Sequence, residues 1–209
     1  MHLITIVYVD GFNLYYGALR KTPHRWLDID KLCTLLLPKN QIVQIKYFTA
    51  LVSARPSDPD QPVRQQTYLR ALSTLPKVSV HLGHFLSHVV TMPVAVQPGH
   101  PQTYVKVIKT EEKGSDVALA TELVNDAHLG NFEAAVLITN DSDLLPPIKI
   151  VRYDLGKTVG ILNPQKHPSR ALLPHTHFFK TIRQGAVAAS QFTPTLTDAH
   201  GQFTKPAAW

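Results

Sequence analysis

Leu3-Ile4-Thr5-Ile6-Val7-Tyr8-Val9-Asp10-Gly11-Phe12-Asn13 is the stretch on which the fold of this chain turns. From Leu3 to Val9 the residues are apolar or β-branched almost without interruption, and the run is too short for a helix. Apolar residues at consecutive rather than alternate positions mark a strand buried on both faces, which is what a parallel sheet requires. Asp10-Gly11 stops it, and Phe12 to Leu19 reads as the helix that follows.

Working outward, the same alternation repeats. Asp28 to Leu37 has acidic residues in its first turn and Pro38 as a stop, so it reads as a short helix. Ile42 to Val52 is a second strand, Val63 to Leu75 a helix ended by Pro76, and Val78 to Leu82 a third strand. Prolines at 93, 98 and 101 weaken the pattern from Gly83 to Pro101, which predicts a long loop or an irregular hairpin returning as Thr103 to Lys109. Ser115 is expected to cap a helix over Asp116 to His128, with Gly130 ending it. Ala134 to Thr139 is another continuous apolar strand, Leu144 to Tyr153 a helix with prolines only in its first turn, and Thr158 to Leu162 a further strand. Strands alternating with helices argue for a three-layer α/β/α domain around a mostly parallel sheet. That domain is expected over residues 1–185, with the Thr-, Pro-, Gln- and Ala-rich residues 186–209 as an extended or partly disordered tail.

The composition narrows the partners. The chain has 209 residues, 44% hydrophobic and 17% charged, which excludes wholesale disorder, collagen-like repeats and a coiled-coil rod. Its 21 Lys and Arg against 15 Asp and Glu give a net charge of +6, compatible with a polyanionic partner but weak as a signal by itself. The single cysteine, Cys33, excludes an internal disulfide and a Cys-cluster zinc site, and its apolar helical setting reads as buried packing. No apolar run reaches the roughly 18 residues of a membrane span, and the opening residues lack a basic leader, so a cytoplasmic location is expected.

The minority charge carries more information. In an open α/β sheet, ligands bind at the carboxyl ends of the strands. Asp10 follows the first strand directly. Asp141 and Asp143 follow the strand Ala134–Thr139, and Asp116 opens a helix after the loop Glu111-Glu112-Lys113-Gly114. Each has an ordinary alternative: a strand-end turn for Asp10, an Asx turn and N-cap for Asp141 and Asp143, the helix dipole for Asp116. Found together at three strand ends, they favour a common site. Converging carboxylates repel one another, and a hard divalent cation such as Mg²⁺ or Mn²⁺ relieves this with oxygen ligands and several waters. Such an ion suits phosphodiester hydrolysis, with Asn13 one turn beyond Asp10 able to orient a water or a carboxylate.

Three blocks, Val9-Asp10-Gly11-Phe12-Asn13-Leu14, Glu112 to Ala120, and Val136 to Leu144, together resemble the NYN domain family of the PIN-like nuclease superfamily, which includes the LabA-like bacterial proteins. The resemblance runs from about residue 3 to 165, and Ser190-Gln191-Phe192 with Lys205 to Trp209 is similar to the ending of such members. It implies a PIN-like α/β/α fold and a Mg²⁺- or Mn²⁺-dependent ribonuclease, with Asp10, Asn13, Asp116, Asp141 and Asp143 as its acidic site. Two positions depart from the pattern. Asn140 stands where relatives often have Gly, and Asn reaches positive φ more easily than most residues. Glu122 stands where many have Asp, on a different part of the helix surface from Asp116.

For RNA contact the candidates are Lys113 beside Asp116, Ser142 between the paired aspartates, Arg20 beyond Asn13, and Tyr16, whose ring suits base stacking in a single strand. Phe12 and Tyr15 share that setting, with core packing the ordinary reading for Phe12. Lys46 and Lys106 fall mid-strand and are expected at exposed edges or as partly buried stems. Leu155-Gly156-Lys157-Thr158 lacks the opening glycine of a phosphate-binding loop, with Val151 in its place. His81, His84 and His88, and likewise His175 and His177, bring no well-placed third zinc ligand. The expected function is therefore a metal-dependent ribonuclease acting on single-stranded RNA, with a homodimer left open. The alternatives are a non-catalytic RNA- or protein-binding module and, behind it, a phosphatase of small phosphoesters.

Overall fold

The computed structural model describes residues 2–95 and 99–209. Its strands form a seven-stranded sheet in the order β4-β3-β2-β1-β5-β6-β7. These are β1 Leu3–Asp10, β2 Asn40–Ala50, β3 Val78–Pro93, β4 Tyr104–Lys113, β5 Ala134–Ile138, β6 Thr158–Asn163 and β7 Phe178–Thr181. Every pairing is parallel except β3 with β4. Helices α1 Gly11–Leu14, α2 Ile29–Leu36, α3 Gln61–Leu72 and α6 Gln184–Ala189 cover one face, while α4 Ser115–His128 and α5 Leu145–Lys149 cover the other. The molecule is a three-layer, PIN-like α/β/α fold.

β1 explains why both faces are covered. Val7 and Val9 enter the core under α1, α2 and α3, while Ile6 and Tyr8 enter the core under α4 and α5. Successive strand residues point to opposite faces, so an unbroken apolar run can only be satisfied between two helical layers. Asp10 continues the even-numbered series and ends the strand on the α4 side. The neighbours of β1 are β2 on one side and β5 on the other, so the chain order reverses there. That is the switch point at which an open sheet leaves a crevice.

Of the long loop or irregular hairpin expected over residues 83–101, the structure has the hairpin, with its strands longer and more regular than expected. β3 runs to Pro93 and pairs antiparallel with β4, from His84 opposite Lys113 to Pro93 opposite Tyr104; residues 96–98 lie outside the described residues. The outer part of this hairpin is solvated on both faces, with Val89 and Ile108 among its exposed side chains. A strand that buries neither face leaves no apolar pattern in the sequence. β3 leaves the parallel sheet at Gly83, where a Cβ would lie 2.6 Å from Glu112 Oε1 and 2.7 Å from Lys113 O.

Residues 186–209 are also not a loose tail. They complete α6, form the hairpin of β8 Thr195–Asp198 and β9 Gly201–Thr204, and fold onto α2 and α3. Trp26 anchors them: its indole Nε1 donates to Thr193 O at 2.8 Å, and the rings of Phe192, Phe203 and Trp209 pack around it. Arg70 adds a bidentate pair with Asp198, at 2.7 and 2.6 Å, and lies over the Phe203 ring. These aromatics are spaced too thinly among polar residues to show a helical or strand period. Trp26→Ala is expected to cost about 3–5 kcal/mol, read as a lower urea midpoint; an unchanged midpoint would mean that residues 186–209 contribute nothing to stability.

Candidate active site

The register of the sheet builds the site. Val9 pairs with Ile138, so Asp10 ends beside Thr139 at the carboxyl edge. Asp10 is buried, with Asn13 N donating to its Oδ1 at 2.9 Å and Thr139 Oγ1 donating to its Oδ2 at 3.1 Å. The Asn13 bond is also the N-cap of α1, so the turn that starts the helix orients the carboxylate. Gly11 is required next to it, because a Cβ would meet Phe48 O and the Tyr47 ring at 2.7 Å each.

The second strand end is tied to the first. Thr139 Oγ1 accepts from Asp141 N at 3.1 Å, and Asp141 Oδ1 accepts from Asp143 N at 2.9 Å. Asn13 Oδ1 accepts from Asn140 N at 3.1 Å and from Gln165 Nε2 at 3.4 Å. Asn140 does not use a left-handed backbone, since no described residue other than glycine has positive φ. Its side chain holds the turn instead, donating to His167 O at 3.0 Å and accepting from Ser169 N at 2.7 Å. Asparagine therefore stands at 140 for its amide.

On the other side of the crevice, Gly114 with φ of 96° turns β4 into α4, and Ser115 is the first helical residue rather than the cap. Glu112 Oε1 accepts from Ser115 N at 3.0 Å, closing the helix start. Asp116 follows, open to solvent at the rim.

The electrostatics show which carboxylates face one another. Burial pushes Asp10 up to about 6, with the charges of Asp116 and Asp141 adding to the rise and its two hydrogen bonds opposing it. Asp116 is raised by desolvation first, then by Asp141, Glu112 and Asp143. Among the described residues none of these carboxylates has a Lys, Arg or His within ion-pairing distance. The donors are all hard oxygens, so their chemistry fits Mg²⁺ or Mn²⁺. Their spacing is wider than a closed cage: among the described residues no three His, Cys, Asp or Glu groups come together tightly enough to share one ion. That opening suits Mg²⁺, which is usually held by one or two carboxylates, with waters and substrate phosphates completing its shell.

The remaining candidates divide. Ser142 begins the turn Ser142–Leu144 at the exposed rim, between Asp141 and Asp143. Lys113 is exposed at the end of β4, its Nζ 3.4 Å from Glu111 Oε2. Tyr16 is exposed, and the Arg20 guanidinium lies 5.2 Å above its ring. Tyr16 stacks near Phe12, whose ring meets Phe85 of β3 edge-on. Arg20, Tyr16 and Phe12 thus form one basic, aromatic surface following Asp10.

Other residues prove structural. Lys46 is buried, with Nζ 2.5 Å from Asp126 and 2.7 Å from Glu122, so it is not an exposed edge charge: stem and ammonium are both buried, and the charge is paired. Glu122 is accounted for by that pair. His81 stacks on Phe48, His177 Nδ1 accepts from Val159 N, and His175 Nδ1 lies 3.0 Å from the Tyr153 hydroxyl. Cys33 is fully buried, and burial raises its thiol pKa. No described helix is long and apolar enough to cross a membrane.

Sequence reading passed over Thr139, Gln165 and Glu112. Thr139 reads as the last residue of an apolar strand, although a hydroxyl beside two strand-end aspartates is a usable signal. Gln165 reaches Asn13 from another part of the chain and has no local signal.

A family match and the α/β/α fold together put the chain in a nuclease-like class of protein. The NYN domain matches residues 4–181, and the chain belongs to the NYN domain family. It is 29% identical to the 6-hydroxy-3-succinoylpyridine 3-monooxygenase HspA of Pseudomonas putida, over 99% of this chain and 75% of that protein. A crystal structure of a protein of unknown function from Vibrio parahaemolyticus shares the fold, with a TM-score of 0.58 and 17% identity over 87% of this chain and 94% of that one.

Proposed function

We propose that the chain is a Mg²⁺- or Mn²⁺-dependent ribonuclease that hydrolyses phosphodiester bonds of single-stranded RNA at the Asp10, Asp116, Asp141 and Asp143 crevice. One observation carries the reading: a buried carboxylate, Asp10, faces two others with no cationic side chain in the described structure to neutralise them. A protein that only bound RNA would gain nothing by aiming these charges at a phosphate backbone. Asp10 and Asp141 would hold the ion from adjacent strand ends, with waters and a substrate phosphate completing its shell and Asp116 and Asp143 adding negative charge at the rim. When bound, the ion supplies a polarised phosphoryl oxygen and a water of lowered pKa.

The chain's own residues do the rest. Asn13 and Thr139 keep the Asp10 carboxylate from rotating. Asn13 Oδ1 is occupied by Asn140 and Gln165, while its Nδ2 has no partner among the described residues and points to a water or phosphate oxygen as its acceptor. Lys113 and Arg20 would hold the flanking phosphates, and Tyr16 would stack a base.

RNA and DNA oligonucleotides incubated with Mg²⁺, Mn²⁺ or EDTA test the reading. RNA cleavage is expected with either metal and is expected to stop in EDTA. Asp141→Asn keeps the oxygen that accepts from Asp143 N and removes the charge, so cleavage should fall on the order of 10²-fold or more. Undiminished Mn²⁺-dependent cleavage by that variant would overturn the mechanism. Tight RNA binding with no turnover in any metal would favour the non-catalytic module.

A second reading rests on the likeness to the P. putida monooxygenase across nearly the whole chain: ring hydroxylation of a heteroaromatic acid. Oxygen uptake and a hydroxylated product from 6-hydroxy-3-succinoylpyridine with an external reductant would support it, and the same protein would then leave RNA intact.

A further inference from the structure

On the face of the sheet opposite α4, a cavity of about 110 Å³ opens between α1, the end of β2 and α3. It begins one residue after Asp10, at Gly11 and Phe12, and Trp209 forms part of its wall. Pockets that enclose drug-sized ligands run to about 300–1,000 Å³, so this one suits a single ring or a fused pair. Its walls are aromatic, from Phe12, Tyr15, Tyr16, Tyr47, Tyr68 and Trp209.

The polar groups lining it are of two kinds. Gln65 is spent on the backbone, accepting from Val52 N and donating to Ala50 O, and Arg64 donates through Nη2 to both carboxylate oxygens of Asp58. The Tyr68 hydroxyl donates to Leu27 O. Tyr47 and Thr49 differ: neither hydroxyl is hydrogen-bonded to a described residue, and neither oxygen is sealed from solvent, so both can be reached from the cavity they line. A hydroxyl that water can reach loses little by lacking a protein partner, but a ligand that displaces that water must supply a hydrogen bond in its place. Arg25, at the same cavity, has a buried Nε without a partner and no carboxylate within ion-pair distance in the described structure. Two hydroxyls inside an aromatic slot, with an unneutralised guanidinium beside them, call for a flat ring with heteroatoms on its edge and an anionic group attached.

We propose that this cavity binds a planar heteroaromatic ring carrying an anionic substituent, the ring bonded at its edge by the Tyr47 and Thr49 hydroxyls and its anion facing Arg25. Two sources share that chemistry, a nucleotide of RNA and a free heteroaromatic acid. The nucleotide source rests on the ribonuclease reading and deepens it, since it places a base-selective subsite one residue from Asp10.

The test titrates the full chain, in EDTA, with the four nucleoside 5′-monophosphates and with 6-hydroxynicotinate, following the fluorescence of Trp209 and its neighbour Trp26. Saturable quenching is expected from one of the two classes, weakened about five- to tenfold by Tyr47→Phe and by Thr49→Val, each of which removes one hydrogen bond. Saturation by a nucleotide assigns a base subsite; saturation by the pyridine acid alone assigns a small-molecule pocket. Binding is read without metal, so it stands even if the chain cuts no RNA. No saturable binding of either class, or binding indifferent to both variants, overturns the proposal while leaving the cleavage assay to decide the ribonuclease reading.

Discussion

A protein carrying Asp10→Asn is expected to melt higher than the parent at pH 8 and, on the proposed ribonuclease reading, to lose RNA cleavage on the order of 10²-fold or more. Both effects come from one carboxylate. Burial and the charges of Asp116 and Asp141 hold Asp10 at about 6, against an ordinary value of 3.8. The folded state therefore binds its proton more tightly than the unfolded chain does. Stability falls as pH rises from about 4 to 6 and stays at the lower level above, a loss of roughly 3 kcal/mol, since each pH unit across that window costs about 1.4 kcal/mol. Asparagine keeps an oxygen for Asn13 N and carries no charge, so it removes this penalty. For a chain of this size about 3 kcal/mol corresponds to roughly 6–12 °C. Thermal unfolding of both proteins in EDTA checks it: the gap should open at pH 8 and close near pH 3.5, where Asp10 is protonated in either state. Equal melting temperatures at pH 8 would show that Asp10 is not held against its own charge. A site that destabilises the free protein is a common accompaniment of function.

The second large effect lies away from the crevice. Asp126→Ala is expected to cost about 3–5 kcal/mol, read as a lower denaturant midpoint. Asp126 Oδ2 accepts from Lys46 Nζ at 2.5 Å and from the Tyr8 hydroxyl at 2.6 Å, and its Oδ1 accepts from Asn131 Nδ2 at 3.0 Å. Removing it strands a buried ammonium and a buried phenol. Glu122 still reaches Lys46, and its side chain is 36% exposed, which puts the cost toward the lower end. Burial raises the Asp126 carboxyl, while hydrogen bonds from Lys46, Tyr8 and Asn131 outweigh it and hold the group below its usual range. Its contribution is therefore present above about pH 4 and lost as pH falls further. Lys46→Met combined with Asp126→Leu should cost less than Asp126→Ala alone, because no unpaired charge stays buried. A double variant as unstable as the single one would mean that shape, not charge, is what this network provides.

Lys46 shows where sequence reading reached its limit. A lysine midway along an apolar strand reads as an edge charge or a partly buried stem, because no local pattern announces a carboxylate 80 positions away on α4. The register of β2 against β1, which places Lys46 beside Tyr8, and the seating of α4 on that face decide the matter. Gln165 escaped for the same reason, whereas Thr139 carries a local signal in its hydroxyl beside two strand-end aspartates. The length and regularity of the β3–β4 hairpin escaped for another, since strands solvated on both faces have no apolar period to read. The aromatic pocket draws its walls from α1, β2, α3 and the segments holding Arg25 and Trp209, none of which carries a motif for it.

What the sequence determined by itself was the core alternation and the acidic strand ends. An unbroken apolar β1 requires helices on both faces, and a strand that terminates in aspartate must present it at the carboxyl edge. These are local properties, set by side-chain period and by the residue that stops the run. Tertiary structure alone decided which charges meet. Asp10 and Asp141 are near because β1 and β5 are adjacent at the switch point, and Asp116 faces them because α4 starts at that edge. Charge interactions depend on distance through space and on desolvation, and neither is written in spacing along the chain.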